Sequence, residues 1–177
     1  MSRPLFFDKD ADLALLAGST VAAIGFGTQG TAQAMNMRDS GLHVIVGAEK
    51  DSTDWQRAVA EKFPVMPVSD AARTADVFNL QVPDMAYRCA AAYNEKVKPV
   101  AKASHMICVS SAFNYYYGHI VPADGVDAVV AAPKGPGASV RSEFVAGSGV
   151  PGLLAVHRNS SGIAWQRGLA LCKADIR

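Results

Sequence analysis

Three glycines stand in the spacing Gly-x-Gly-x-x-Gly within the segment Gly25-Phe26-Gly27-Thr28-Gln29-Gly30. An apolar run, 20–24, precedes this segment, and a helical pattern begins at Thr28. In such a strand-to-helix turn, the first glycine permits the tight turn, the second lets the backbone approach a pyrophosphate, and the third lets the helix pack on the strand. The helix N-terminus also offers N–H groups to phosphate oxygens. The motif predicts a dinucleotide-binding turn; the alternative is a tight turn without a ligand.

The second apolar run, 43–46, is followed by a loop that carries the carboxylates Glu49, Asp51 and Asp54. A carboxylate at this place accepts hydrogen bonds from a free ribose 2′-hydroxyl, whereas a 2′-phosphate requires arginine or hydroxyl donors. The loop therefore favours NAD or NADH over NADP. Two alternatives stay open: Ser52 and its neighbours could bind a phosphate if Glu49 and Asp54 turn outward, or the loop could form a solvated face and a helix N-cap.

The elements that position these residues alternate along the chain. Apolar runs predict strands at 20–24, 43–46, near 65, and at 77–82, 106–109, 128–132 and 153–156. Helical patterns lie at 28–40, 55–62, 69–75 with Ser69 as the cap, 85–96 and 162–173, and the glycine-rich stretch 133–149 is expected to be a site loop. This order predicts a single α/β domain with a doubly wound, mostly parallel sheet of the Rossmann type.

Composition excludes several classes of partner. The 177 residues are 50% hydrophobic and 19% charged, with a formal net charge of +1 and no basic cluster, so neither nucleic acid nor an anionic membrane is an expected partner. Cys89, Cys108 and Cys172 form no Cys-x-x-Cys pair, and no metal site is predicted. No segment approaches the length of a membrane span, and a cytoplasmic location is expected.

Several strings along nearly the whole chain make it resemble the N-terminal dinucleotide-binding domain of the ketol-acid reductoisomerases. The most specific is Ala132-Pro133-Lys134-Gly135-Pro136-Gly137, followed by Val140-Arg141. The others are the glycine turn, Val82-Pro83-Asp84, Gly149-Val150-Pro151 and Ala155-Val156-His157.

The resemblance implies a reaction in two stages, which leads to branched-chain amino acids. A magnesium-assisted alkyl shift in a 2-acetohydroxy acid is followed by hydride transfer from the nicotinamide. In the family, the metal ligands lie on a following helical domain, which is absent from residues 1–177. We therefore expect magnesium to matter only if a partner supplies that domain. The partner would be a separate helical-domain chain, while the uncovered surface could also lead to self-association.

Two departures from the family pattern bear on activity and cofactor. Ser111 stands where the family has a histidine at the reaction site, and serine has no basic nitrogen to handle a proton near neutral pH. Family members that use NADP commonly carry Arg, Ser and Ser at the positions of Glu49, Ser52 and Asp54. Two of those three positions are acidic here, which agrees with the preference for NAD.

Three further residues are candidates for the site. Lys134 could meet a substrate carboxylate or a metal-bound water, or could simply be solvated. Gly137 is expected to let its loop approach the nicotinamide half of the cofactor. Asp84 follows a strand on the side where open α/β sheets bind ligands, although capping of the next helix explains it equally well.

The sequence thus leads to one main hypothesis and three alternatives. The main hypothesis is a stand-alone dinucleotide-binding domain that binds NAD or NADH and is catalytically silent. The alternatives are an enzyme completed by a separate helical chain, a non-catalytic module that senses NADH, and a truncated gene product.

Overall fold

The computed structural model describes residues 4–84 and 87–176. Within them, seven strands form one sheet in the order β3-β2-β1-β4-β5-β6-β7. The strands are β1 (Thr20–Ile24), β2 (His43–Gly47), β3 (Val65–Met66), β4 (Val77–Leu80), β5 (Met106–Val109), β6 (Asp127–Pro133) and β7 (Gly152–Arg158). Strands β1 to β6 pair in parallel, and β7 joins β6 antiparallel.

Helices connect the strands. They are α1 (Thr28–Asp39), α2 (Thr53–Ala60), α3 (Val68–Thr74), α4 (Arg88–Ala91), α5 (Phe113–Tyr116), α6 (Gly137–Val145) and α7 (Ala164–Asp175). Helix α4 continues into a π-helical segment, Ala92–Val97, and a short 3-10 turn, Lys98–Val100. None of the helices in the described ranges is long and apolar enough to cross a membrane.

The chain reverses its direction of travel across the sheet at β1. Strands β2 and β3 lie on one side of β1, and β4 to β7 lie on the other. The predicted fold class, a doubly wound and mostly parallel α/β sheet, is therefore confirmed. In such a sheet, the carboxyl ends of the strands at the reversal form a crevice, which is the usual ligand site of the fold.

The core lies in two layers, one on each face of the sheet, because successive strand residues point to opposite faces. Val21 and Ala23 of β1 pack in the layer that contains Met37 of α1 and Leu171 of α7. Ala22 and Ile24 pack in the other layer, which also contains residues of α3, α4 and the π-helical segment. Burial on both faces explains why β1, β2, β4, β5 and β6 are mostly apolar.

Several predicted elements differ from the observed ones by one or two residues at an end, and the largest difference is in the glycine-rich stretch. The stretch 133–149 is not one loop, since β6 extends to Pro133 and α6 occupies Gly137–Val145. The glycines lie at the ends of this helix and do not interrupt it. Gly147 follows the helix with φ at +81°, and its N–H donates to the Phe144 carbonyl. This arrangement is typical of helix C-termini.

Smaller differences occur at α3 and β4. Helix α3 follows Pro67 and begins at Val68, so Ser69 is inside the helix and is not its cap. Strand β4 ends at Leu80, two residues before the predicted end. The predicted start of the next helix, at Met85, lies outside the described residues.

Candidate functional site

A cleft of about 820 Å³ opens at the carboxyl ends of β1, β2 and β4, where the sheet reverses. Its walls are the glycine turn, the loop after β2, and the helical stretch that follows β4. Of the predicted site residues, nine line it: Gly25, Gly27, Thr28, Gln29, Glu49, Ser52, Asp54, Asp84 and Ser111. Chain topology therefore brings the glycine turn and the acidic loop together, as the sequence pattern predicted.

Each of the three glycines of the turn has a different structural role. Gly25 has φ at +91°, and a Cβ there would lie 2.8 Å from the Val82 nitrogen. A Cβ on Gly30 would lie 2.2 Å from the Gly25 carbonyl oxygen, so this glycine lets α1 pack against the turn. A Cβ on Gly27 would meet nothing within 4 Å. Gly27 thus leaves open space at the N-terminus of α1, where a phosphate group can approach the backbone.

Phe26 anchors the turn to the protein. Its side chain is buried, and its ring centroid lies 5.4 Å from that of Phe63. Its N–H donates to Asp54 Oδ2 at 2.8 Å, and its carbonyl oxygen accepts from Arg57 at 2.6 Å and from the Thr31 hydroxyl at 3.0 Å. Helix α2 therefore fixes the backbone of the glycine turn through Asp54 and Arg57.

The loop after β2 combines a helix cap with an ion pair. Ser52 is the N-cap of α2, and its side chain accepts a hydrogen bond from the Trp55 N–H at 3.2 Å. The Glu49 carboxylate forms an ion pair with Lys96, which lies in the π-helical segment on the opposite wall of the cleft. The N-cap that the sequence left as an alternative is therefore present.

Negative charge dominates the cleft. Among the described residues that line it, Glu49, Asp54, Asp84 and Glu95 are acidic, and Arg88 and Lys96 are basic. Cys89 also lines the cleft, but burial and then the nearby charge of Asp84 raise the pKa of its thiol to about 12. The thiol is therefore protonated near neutral pH and is not a nucleophile.

The Asp84 side chain is held by Asn114, a residue that follows β5. Its Oδ1 accepts a hydrogen bond from the side-chain amide of Asn114, which is buried at the start of α5. The Oδ1 of Asn114 is buried and has no hydrogen-bond partner among the described residues. The Gln29 Oε1 is also buried without such a partner, while its amide nitrogen donates to the Gly135 carbonyl at 2.8 Å. These unpaired oxygens mark places where a polar ligand could bind.

A ring of hydrogen bonds forms the floor of the cleft. The Asn79 side chain donates to Gln33 at 3.1 Å, and Gln33 donates to Ser110 at 3.4 Å. Ser110 in turn donates to Gln81 at 3.0 Å, and Gln81 donates back to Asn79 at 2.8 Å. Gln33 and Asn79 are fully buried, whereas Gln81 and Ser110 line the cleft. Because the ring closes on itself, it holds the side chains of Gln81 and Ser110 in one orientation.

Only one of the two predicted catalytic positions lines the cleft. Ser111 lines the cleft, and its hydroxyl accepts from the Phe113 N–H at 3.2 Å. Lys134 is exposed on the β6–α6 connection and is not among the described residues that line the cleft. His105 and His119 lie near Ser111 in the sequence, but they too are outside the described lining of the cleft.

Gly137, Gly30 and Phe26 are also outside the described lining of the cleft. A Cβ on Gly137 would lie 2.3 Å from the Thr28 carbonyl oxygen. The glycine therefore allows the N-termini of α6 and α1 to meet, and its contact with a cofactor stays a prediction.

No group of three or more His, Cys, Asp or Glu side chains converges in a metal-binding arrangement within residues 4–84 and 87–176. This part of the chain therefore offers no clustered set of protein ligands for a metal ion.

Sequence reasoning missed four residues that anchor or line the cleft: Arg57, Gln81, Ser110 and Lys96. A signal existed for two of them, because Gln81 and Ser110 directly follow β4 and β5, whose carboxyl ends adjoin the reversal of the sheet. Lys96 had no such signal, since helix surfaces commonly carry lysine.

Comparisons with known proteins agree with this geometry. Residues 15–175 match the model of the NADPH-binding domain of acetohydroxy acid isomeroreductases. A ketol-acid reductoisomerase (NADP⁺) of Pyrobaculum islandicum is 46% identical over 169 residues, and one of Campylobacter hominis is 44% identical over 174 residues. These alignments cover 96% and 98% of this chain but 50% and 51% of the relatives, so the chain spans about half of their length.

Solved structures give the same result. An NADH-preferring ketol-acid reductoisomerase from an uncultured archaeon superimposes with a TM-score of 0.89 at 38% identity, covering 94% of this chain and 51% of that one. A 3-hydroxyisobutyrate dehydrogenase of Mycobacterium tuberculosis, at 18% identity and a TM-score of 0.63, shares the fold alone; 88% of this chain and 51% of that one are covered.

Proposed function

This chain belongs to the acetohydroxy acid isomeroreductase (ketol-acid reductoisomerase) family as its nicotinamide-dinucleotide-binding domain, and from that premise we propose that it prefers NADH and does not catalyse the family reaction alone. Dinucleotide binding is the property of the matched domain. The preference and the catalytic silence are proposals about this chain.

Glu49 is the observation that supports the preference for NADH. It lies just beyond β2, at the place where a doubly wound fold meets the ribose of the adenosine half. One carboxylate can accept hydrogen bonds from a ribose hydroxyl. A 2′-phosphate carries up to about two negative charges near pH 7, and it would have to approach Glu49 and Asp54. NADH meets no such repulsion at this position, because its adenosine ribose carries an uncharged 2′-hydroxyl there.

Two features support catalytic silence. Ser111 occupies the position of the family histidine and carries no basic nitrogen, so it cannot accept a proton near neutral pH. The reaction of the family uses magnesium, and the described residues provide no cluster of ligands for it. We therefore derive no metal-assisted step from this chain. In this proposal the contributions of the chain are binding and orienting the dinucleotide.

A second candidate function is an enzyme completed by another chain. It is favoured by the curated relatives being about twice as long as the matched region. A separate helical-domain chain would then bring the metal ligands, and self-association would be a competing use of the uncovered surface. The remaining candidate, a module that senses NADH, requires the same binding without turnover.

Titration calorimetry of the purified chain against NADH and NADPH, with and without magnesium, tests the proposal. We expect NADH to bind more tightly, with no effect of magnesium on its affinity. Equal affinity for the two dinucleotides would refute the preference, and no binding would refute the module itself. A turnover assay with a 2-acetohydroxy acid, NADH and magnesium tests silence, since any oxidation of NADH by the chain alone contradicts it.

A further inference from the structure

Among residues 4–84 and 87–176, Lys96 is the cation that reaches across the cleft to the acidic loop. It lies in the π-helical segment, where Tyr93 and Val97 are buried and hold the segment against the sheet. Its ammonium group contacts Glu49 Oε1, a residue 47 positions earlier in the chain. The ion pair therefore joins the loop after β2 to the helical stretch after β4 across the cleft.

Stability alone does not explain this pair. The Glu49 side chain is 68% exposed and that of Lys96 is 32% exposed. Ion pairs between exposed side chains contribute only about 0 to 1 kcal/mol to folding, since solvent screens them and ordering the two side chains costs entropy. Both residues nevertheless line the cleft, so their charges act on whatever binds there.

The chemistry of the two groups gives the pair a use. A carboxylate can accept several hydrogen bonds, so Glu49 can keep Lys96 on Oε1 and offer Oε2 to a ribose hydroxyl. An unpaired lysine in the same place would attract a phosphate, because an ammonium group is a good phosphate ligand. In this arrangement NADH would leave the ion pair intact, whereas a 2′-phosphate bound by Lys96 would have to displace Glu49 from it.

We propose that Lys96 is a specificity-determining residue of the cleft, which holds the Glu49 carboxylate in place for the ribose of NADH and which becomes a 2′-phosphate ligand when that carboxylate is removed. This inference rests on the proposed preference for NADH. Glu49 thus excludes NADPH in two ways, by direct repulsion and by occupying the cation that a phosphate would use.

A double-mutant cycle measured by titration calorimetry tests the role of Lys96. The four proteins are the unmodified chain, Glu49→Gln, Lys96→Met, and the variant with both changes, each titrated with NADH and NADPH. We expect Glu49→Gln to bind NADPH about tenfold more tightly than the unmodified chain, and the double variant to lose most of that gain. Lys96→Met alone should weaken NADH binding severalfold, because Glu49 loses its anchor.

Lys98→Met is the matched control, since Lys98 lies two residues further along, is exposed, and is outside the described lining of the cleft. It removes the same charge and should change neither affinity. If Glu49→Gln and the double variant bind NADPH equally well, Lys96 has no role in selectivity, although the preference for NADH through Glu49 stands. If the unmodified chain binds neither dinucleotide, the proposed function fails and this inference fails with it.

Discussion

Asp54 accepts a hydrogen bond from the backbone N–H of Phe26 at 2.8 Å, which ties helix α2 to the glycine turn 28 residues earlier. From the sequence, Asp54 was assigned to the discrimination between NAD and NADP, with a solvated face and a helix N-cap as the alternative for its loop. Because the carboxylate binds the turn itself, the same residue also determines the shape of the turn. Arg57 completes this anchor by donating to the Phe26 carbonyl and lying 3.6 Å from Asp54.

Asp54→Ala is expected to weaken the binding of both dinucleotides, because the Phe26 N–H loses its partner and the turn loosens. The lost hydrogen bond to a charged group should also lower the free energy of unfolding by about 1–3 kcal/mol. Calorimetric titration and urea unfolding measure the two effects. Asp51→Asn, which removes a charge from the same loop, is the control. A gain in NADPH affinity without loss of stability would show that Asp54 acts only by repelling phosphate.

Gly27→Ala and Gly30→Ala should separate ligand binding from folding. At Gly30, the added methyl group would lie 2.2 Å from the Gly25 carbonyl oxygen, so we expect a loss of about 1–3 kcal/mol or more in stability. At Gly27, the methyl group meets open space and the backbone has φ at −70°, so the fold should tolerate it. Gly27→Ala should instead reduce NADH affinity, because the methyl group enters the space where the phosphate approaches.

Thermal unfolding and NADH titration of both glycine variants provide the check. An unstable Gly27→Ala, or one that binds NADH as well as the unmodified chain, would contradict the assignment of Gly27 to the ligand.

Arg167→Met is expected to destabilise the chain by about 3–5 kcal/mol, because it leaves the buried carboxylate of Asp127 without its cation. Arg167 donates to Asp127 Oδ2 at 2.7 Å, and the carboxylate also accepts from the Ser161 N–H and hydroxyl. Urea unfolding measures the loss. Replacing both charged residues with apolar ones, as Asp127→Leu with Arg167→Met, should restore part of the stability, and a double variant no more stable than Arg167→Met would count against a charge effect.

The pH dependence of stability should include a loss in acid due to Asp127. Burial raises the pKa of its carboxyl, but the hydrogen bonds from Ser161 and the charge of Arg167 outweigh burial, so the net pKa lies below the ordinary value of 3.8. A lowered folded-state pKa means that the stabilisation is complete above the unfolded value and is lost as the pH falls through the folded value. Unfolding followed from pH 6 down to pH 2 should show this loss, and Asp127→Asn should reduce it.

Asp175 should have the opposite effect. Its carboxylate is fully buried at the end of α7, has no hydrogen-bond partner among the described residues, and burial raises its pKa well above 3.8. The folded chain therefore binds a proton that the unfolded chain releases, and stability falls as the pH rises above about 4. Asp175→Asn should be more stable than the unmodified chain near pH 7 by at least about 1 kcal/mol and should lack this slope. Equal stability of the two proteins at pH 7 would refute it.

The strands were predictable because a parallel sheet covered on both faces requires short, nearly continuous apolar runs, and such runs are visible in the sequence. Helix α6 was not predicted because Gly135, Gly137, Gly147 and Gly149 surround it and look like a loop. In the structure, Gly137 is there for its contact with Thr28 and Gly147 for the positive φ that ends the helix. The first reason depends on where the helix packs, and the second requires that the helix is there.

The sequence by itself determined the fold class and the family, and it predicted the dinucleotide turn, because each depends on local order along the chain: apolar runs, glycine spacing, and an acidic loop after the second strand. Only the tertiary structure decided how that turn is held and what faces it. The Phe26–Asp54 bond, the Glu49–Lys96 ion pair and the Gln33–Ser110 bond join residues 28, 47 and 77 positions apart. Such pairs arise from strand order and helix packing, which bring together side chains that no local pattern relates.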